Sequence, residues 1–271
     1  MKNRRRFDDI CSTLPARHVD STAFLAHDGG VVDTVFLSVL DEVNNQRRQV
    51  LAEHGRRLVI GLAGAVSVGK TTFAAEVAAA LRTRFDQSAT VVGTDGFLLP
   101  NSVLEPRGLM YHKGLPDTYD TESLQGFLAT AASAASQVEI PVYSHEVFDT
   151  VGSQTIDLPD VVLVEGINIL GDAFAPMLDL RVYLEADERM VIDWFVRRFL
   201  HLIVAAESDS SSFYTRFVAL SPEERSTTAH GVWDAINGPN LHQHIAPTKA
   251  NADLVLRLRS DHGVESMIRH C

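Results

Sequence analysis

At 271 residues the chain is long enough for one large α/β domain with a full core. Its 45% hydrophobic and 22% charged residues suit a soluble globular protein, and a net charge of −11, from 24 Lys and Arg against 35 Asp and Glu, argues against a nucleic-acid backbone as partner. No apolar run reaches the roughly 18 residues that a membrane span needs. The two cysteines, Cys11 and Cys271, form no framework of spacings, which points to the cytoplasm.

The first 33 residues lack clear periodicity and read as a loosely ordered N-terminal segment. Lys2 and Arg4–Arg6 are followed by Asp8 and Asp9 instead of an apolar stretch, so this is no signal peptide. From Val31 to Glu53 apolar residues recur at helical spacing, with Gly55 as a stop. Leu58 to Ala63 reads as a buried strand, Thr71 to Phe85 as a helix and Thr90 to Val92 as a short strand. Residues 96–120, rich in Gly and Pro, form a long loop of the kind that is usually functional. The Ala/Ser-rich run Ala129–Ser136 predicts a tightly packed helix. Val161 to Val164 and Leu180 to Leu184 are further strands, and Asp187-Glu188 open another helix. Short apolar strands between helices predict an α/β, three-layer fold of the P-loop NTPase type, with a mostly parallel central sheet. No linker divides it, so a single domain over 1–271 is expected.

Gly64-Ala65-Val66-Ser67-Val68-Gly69-Lys70-Thr71 fits G-x-x-x-x-G-K-[ST], with a strand before it and a helix after it. In such a loop successive backbone N–H groups turn inward to phosphate oxygens. Lys70 then reaches the β- and γ-phosphates of ATP, the Thr71 hydroxyl serves Mg²⁺, and Thr72 completes the nucleotide-binding stretch. Two carboxylates fall at strand ends, where open α/β sheets bind ligands. Asp95 is placed to accept a proton from an attacking hydroxyl, and Glu165 to hold Mg²⁺ directly or through water. Either could instead cap a loop or a helix. On the helix after Asp187, Val191, Phe195, Arg198, Phe199 and Leu202 share one face, which sets Arg198 in an apolar stripe. There it would stabilise a transferring phosphoryl group or form an internal salt bridge.

The chain resembles the bacterial type I pantothenate kinases, relatives of uridine kinase and phosphoribulokinase, from about Asn45 to the C-terminus. The resemblance rests on Thr94-Asp95-Gly96-Phe97-Leu98, Pro100-Asn101, Arg107-Gly108-Leu109-Met110, Lys113-Gly114, Pro141-Val142-Tyr143-Ser144-His145, Pro159-Asp160 through Glu165-Gly166, Arg198-Phe199-Leu200 and Pro247-Thr248. It implies an ATP-dependent kinase acting on the hydroxyl of a small molecule, with pantothenate as the default acceptor. Asp95 would be the base, Lys70 and Arg198 would stabilise the phosphoryl group, and Thr71 and Glu165 would serve magnesium. Lys113, Tyr143, His145 and Asn237 would line the acceptor pocket, and Asn45 and His262 would hold the adenine. The resemblance also implies a homodimer. Three positions depart from it. Phe148 and Phe195 stand where the family has pocket tyrosines, and Leu202 stands where it has a phenylalanine that helps hold the substrate and the inhibitor coenzyme A. The segment Gly171–Asp179 is contracted. Lost hydroxyls redefine an acceptor site, so a nucleoside or another metabolite is a second possible acceptor. A regulator without turnover is a third reading, which intact Lys70, Asp95 and Arg198 oppose.

Overall fold

The computed structural model describes residues 34–270. Thr34–His54 form α1, in which Phe36, Val39, Leu40, Val43 and Val50 are buried. All seven residues of β1 (Leu58–Gly64) are buried, as expected for a parallel strand covered on both faces. The chain continues through α2 (Lys70–Phe85), β2 (Ala89–Gly93), α3 (Asn101–Leu104) and α4 (Thr121–Ala131). The hairpin strands β3 (Gln137–Ser144) and β4 (Asp149–Asp157) follow, then β5 (Val161–Glu165) and β6 (Leu180–Glu185). Next come α5 (Glu188–Ala206), α6 (Pro222–Val232) and a stretch in which two π-helical turns, Trp233–Asn237 and Leu241–Ile245, flank a short α7 (Gly238–Asn240). The described chain ends on β7 (Leu254–Leu258) and β8 (Val264–Arg269). None of the described helices is long and apolar enough to cross a membrane.

The six-stranded sheet has the order β2-β5-β1-β6-β7-β8, parallel throughout except for β8, which runs against β7. β1 thus lies between β5 and β6, with β2 beyond β5. The loops leaving β1, β2 and β5 therefore open side by side at one edge of the sheet. The opposite edge is fastened by charge. Asp160, just before β5, accepts hydrogen bonds from Arg47 (2.9 Å) and Ser88 Oγ (2.8 Å). Asp179, just before β6, accepts both Arg56 nitrogens at 2.7 Å.

The four expected strands are present, and among the described residues β7 and β8 extend their sheet while β3 and β4 form a separate hairpin. The run Ala129–Ser136 is not one helix: α4 stops at Ala131. Ser133 turns its hydroxyl onto the Thr130 carbonyl at 2.7 Å, and Arg57 draws the carbonyls of Ala131, Ser133 and Ala135 to itself at 2.6–3.1 Å. Such side-chain bonds compete with the helical ladder. The long segment 96–120 is a chain of tight turns around α3. The N-terminal segment 1–33, with the start of the predicted first helix, lies outside the described residues.

Candidate active site

The turn after β1 is built for close backbone approach. Gly64 has φ 150, and a Cβ there would fall 2.6 Å from the Leu184 carbonyl oxygen. Gly69 has φ 97 and Ser67 φ 61, which curl the loop into a cradle. Lys70 is 8% exposed, and its ammonium donates to the carbonyls of Gly64 (3.1 Å) and Ala65 (2.9 Å). Burial lowers its pKa, opposed by the charges of Glu165 and Asp95. The Ser67 hydroxyl oxygen is buried and unpartnered, a free polar atom in the cradle. These features fit a polyphosphate.

The Thr71 hydroxyl donates to Glu165 Oε1 at 2.7 Å, so the start of α2 meets the end of β5. A tight contact keeps this edge in place: a Cβ on Gly166 would fall 1.8 Å from Thr94 Oγ1. Among the described residues no group of three or more His, Cys, Asp or Glu could hold a metal. One hydroxyl and one carboxylate at the cradle are nonetheless the oxygen donors that Mg²⁺ takes when phosphates and water fill its other positions.

Asp95 lies in the turn Thr94–Phe97 directly after β2. Its two oxygens face different partners, Tyr119 Oη at 3.5 Å and His145 Nε2 at 3.7 Å. Tyr119, buried beside Leu98 through an isolated β-bridge, is absent from the predicted site. Its buried hydroxyl is pushed to a higher pKa by desolvation and by the charge of Asp95. The walls of the cleft lower the pKa of His145 against the pull of Asp95, so the imidazole is biased to its neutral form. Tyr143 stands edge-on to His145 at 5.2 Å, and burial raises its pKa.

Arg198 lies on the helix face of Val191, Trp194 and Leu202 but is exposed, while the buried residues of α5 are Val191, Trp194, Val196, Phe199, Ile203 and Ala206. The internal salt bridge is absent too, since no described acid pairs with it. Arg198 is near enough to Lys70, His145 and Tyr214 for its positive charge to lower the pKa of each, after the larger effect of burial on those groups. A guanidinium at a cleft margin stays hydrated and avoids the cost of an unpaired buried charge. Leu202, one helical turn on, is half-buried.

Phe148 stacks on Phe213 at 4.5 Å, and Phe195 packs between Phe199 (6.0 Å) and Trp233 (5.7 Å). Asn237 closes the first π-turn, half-buried. Its neighbour Asn240 is fully covered and donates to the Gly114 carbonyl at 3.3 Å. Lys113 does not line an open pocket: its side chain is 2% exposed, beneath the rings of Tyr143 and Phe148.

His262, at φ 65 in the turn between β7 and β8, is stacked on Trp194 at 3.9 Å, with Nδ1 3.3 Å from the Val68 carbonyl oxygen. It therefore borders the cradle. Asn45 does not. Its neighbours Gln46 and Arg47 bind the Asp179 carbonyl and the Asp160 carboxylate at the opposite edge of the sheet, and α1 carries Asn45 there, exposed. The expectation that Asn45 holds adenine is corrected by this placement.

A parallel sheet with a phosphate cradle, a strand-end carboxylate facing it and a hydroxyl–carboxylate pair beside it defines a P-loop kinase. The chain belongs to the phosphoribulokinase/uridine kinase family, whose pattern matches residues 59–200. It is 39% identical over 251 residues to a pantothenate kinase of Rhodopseudomonas palustris (strain TIE-1), covering 86% of this chain and 79% of the relative. It is 41% identical over 225 residues to a pantothenate kinase of Sorangium cellulosum, covering 79% and 73%. Among solved structures, D-glycerate 3-kinase from Cryptococcus neoformans superposes with a TM-score of 0.66 at 12% identity, over 89% of this chain and all of that one, a likeness of fold. The chain is an ATP-dependent kinase.

Proposed function

We propose that the chain transfers the γ-phosphoryl group of ATP to the hydroxyl of pantothenate. The observation that supports this best is the convergence on buried Lys70 of the charges of Asp95 and Glu165, in a chain about 40% identical to pantothenate kinases over most of its length. Asp95 takes the proton of the acceptor hydroxyl, and the acceptor oxygen forms the new bond to the γ-phosphorus as the bond to the bridging oxygen breaks and ADP leaves. Lys70 and Arg198 stabilise the charge on the phosphoryl oxygens. Thr71 and Glu165 hold Mg²⁺, which supplies charge neutralisation at the phosphates. Tyr143, His145 and Asn237 face the acceptor, Phe148 and Phe195 give its apolar walls, and Trp194 and His262 border the adenine side.

The enzyme works in the cytoplasm, without nucleic acid as a partner, and as a homodimer. Light scattering should give twice the chain mass of 29.8 kDa; the mass of one chain would refute the dimer. The acceptor is tested by coupled ADP release with pantothenate and a panel of nucleosides and short polyols. Turnover with pantothenate is expected to lead the panel. A nucleoside that outruns it would assign the apolar walls of Phe148 and Phe195 to stacking on a base.

A further inference from the structure

The four-residue turn 145–148 that joins β3 to β4 ends on an unusual residue. Phe148 has φ 57. Hairpin loops of this length often need one left-handed residue, and Gly or Asn normally supplies it. A bulky ring in that region stores strain and persists only where its surroundings over-determine it.

The surroundings do so here. The Phe148 carbonyl accepts from Lys113 Nζ at 2.7 Å and from Asn101 Nδ2 at 3.2 Å. Lys113 Nζ also donates to Asn101 Oδ1 at 2.5 Å, which closes a ring of three hydrogen bonds. Asp149 Oδ1 lies 3.9 Å from the same ammonium and accepts the backbone N–H groups of Asn101 (2.9 Å) and Thr150 (2.8 Å). The ammonium also sits 5.0 Å from the centre of the Tyr143 ring and 4.8 Å from that of Phe148. Two of its three N–H donors are thus committed to protein acceptors, and its side chain is 2% exposed.

We infer that Lys113 is a positioning residue: it clamps Phe148 in the left-handed conformation and so fixes the turn that carries His145. A buried ammonium is held where its donors find acceptors; one of these is the Phe148 carbonyl, and the other, Asn101, itself donates to that carbonyl. His145 lies three residues before Phe148 and 3.7 Å from Asp95, so a relaxed turn displaces a wall of the acceptor site. Displacement of the order of 1 Å at such a site lowers turnover by up to about 10².

The test is a double-mutant cycle of Lys113→Met with Phe148→Gly. Glycine takes the left-handed conformation without a clamp, so Lys113 should matter little once it is in place. Two readouts are taken: the urea midpoint, and kcat/KM for pantothenate beside KM for ATP. The kinetic arm rests on the proposed kinase reaction; the urea arm needs no activity, so failure of the reaction and failure of the clamp are distinguishable. Lys113→Met should lower the urea midpoint and cut kcat/KM for the acceptor about tenfold or more in the parent, with KM for ATP unchanged. In the Phe148→Gly background both effects should shrink, the kinetic one to less than about threefold. If Lys113→Met folds only in the Phe148→Gly background, the clamp is supported. Equal losses in both backgrounds, or failure of Lys113→Met to fold in either, would overturn it.

Discussion

The Lys70 ammonium is buried and held by the carbonyls of Gly64 and Ala65 at the phosphate cradle, whereas Arg198 is exposed. One turn after it, Leu202 offers less apolar surface than the aromatic ring that the sequence resemblance assigns to coenzyme A. We expect coenzyme A to compete with ATP weakly, since loss of an aromatic wall removes contact worth about 1–3 kcal/mol. Inhibition constants against varied ATP check this, and tight competition would count against it. At this scale the cradle and the two strand-end acids were legible because each is tied to a motif or a strand terminus. Asn45 was misplaced because nothing in a helical stretch says which end of the sheet it reaches. Spacing puts Arg198 on a face with Val191 and Leu202 but does not show whether a neighbouring element covers that part of the face, and there Arg198 is exposed.

Among the elements, the β3–β4 hairpin does most to shape the acceptor side. It stands outside the main sheet, β4 is largely exposed and β3 mostly half-buried, so they lack the apolar runs that mark β1 and β5. The hairpin meets the Asp95 turn at Gly96, where a Cβ would fall 2.5 Å from the Pro141 carbonyl oxygen. Both partners are backbone, so Gly96→Ala should push the hairpin from Asp95 and cut kcat by about 10² in a protein that still folds. Circular dichroism and steady-state kinetics together check this; unchanged kcat would show that the two segments are not coupled. α2 carries a second consequence. Burial pushes Glu76 up to about 7 from a reference of 4.5, without a charge partner to offset it. The folded state binds this proton more tightly than the unfolded state does. Its contribution is therefore present below about pH 4.5 and lost as pH rises to about 7. Glu76→Gln should stabilise the protein at pH 8 by about 1 kcal/mol after allowance for partial exposure, and leave it unchanged at pH 4. Urea midpoints at the two pH values decide it, and equal shifts at both would contradict the sign.

With a net charge of −11 the chain has no excess of basic residues, so on the proposed reading an anionic nucleotide would be held locally, by Lys70, Arg198 and the backbone N–H groups of one loop. The parallel sheet and its P-loop could be read from four apolar strands and one motif. β7 and β8, and the turn that sets His262 against Val68, could not, because that contact joins residues 194 positions apart. The sheet order decides which strand ends become neighbours, and it is this order that brings Glu165 to Thr71 and sets Asp95 beside them. The most direct measurement is the rate of pantothenate phosphorylation by the parent and by Asp95→Asn, with ATP binding followed in parallel. The parent should release one ADP per pantothenate phosphorylated, and Asp95→Asn should lose on the order of 10² to 10³ in kcat while binding ATP as before. Parent-like turnover by a folded Asp95→Asn protein, or a parent that leaves pantothenate unphosphorylated while phosphorylating another alcohol, would contradict this account.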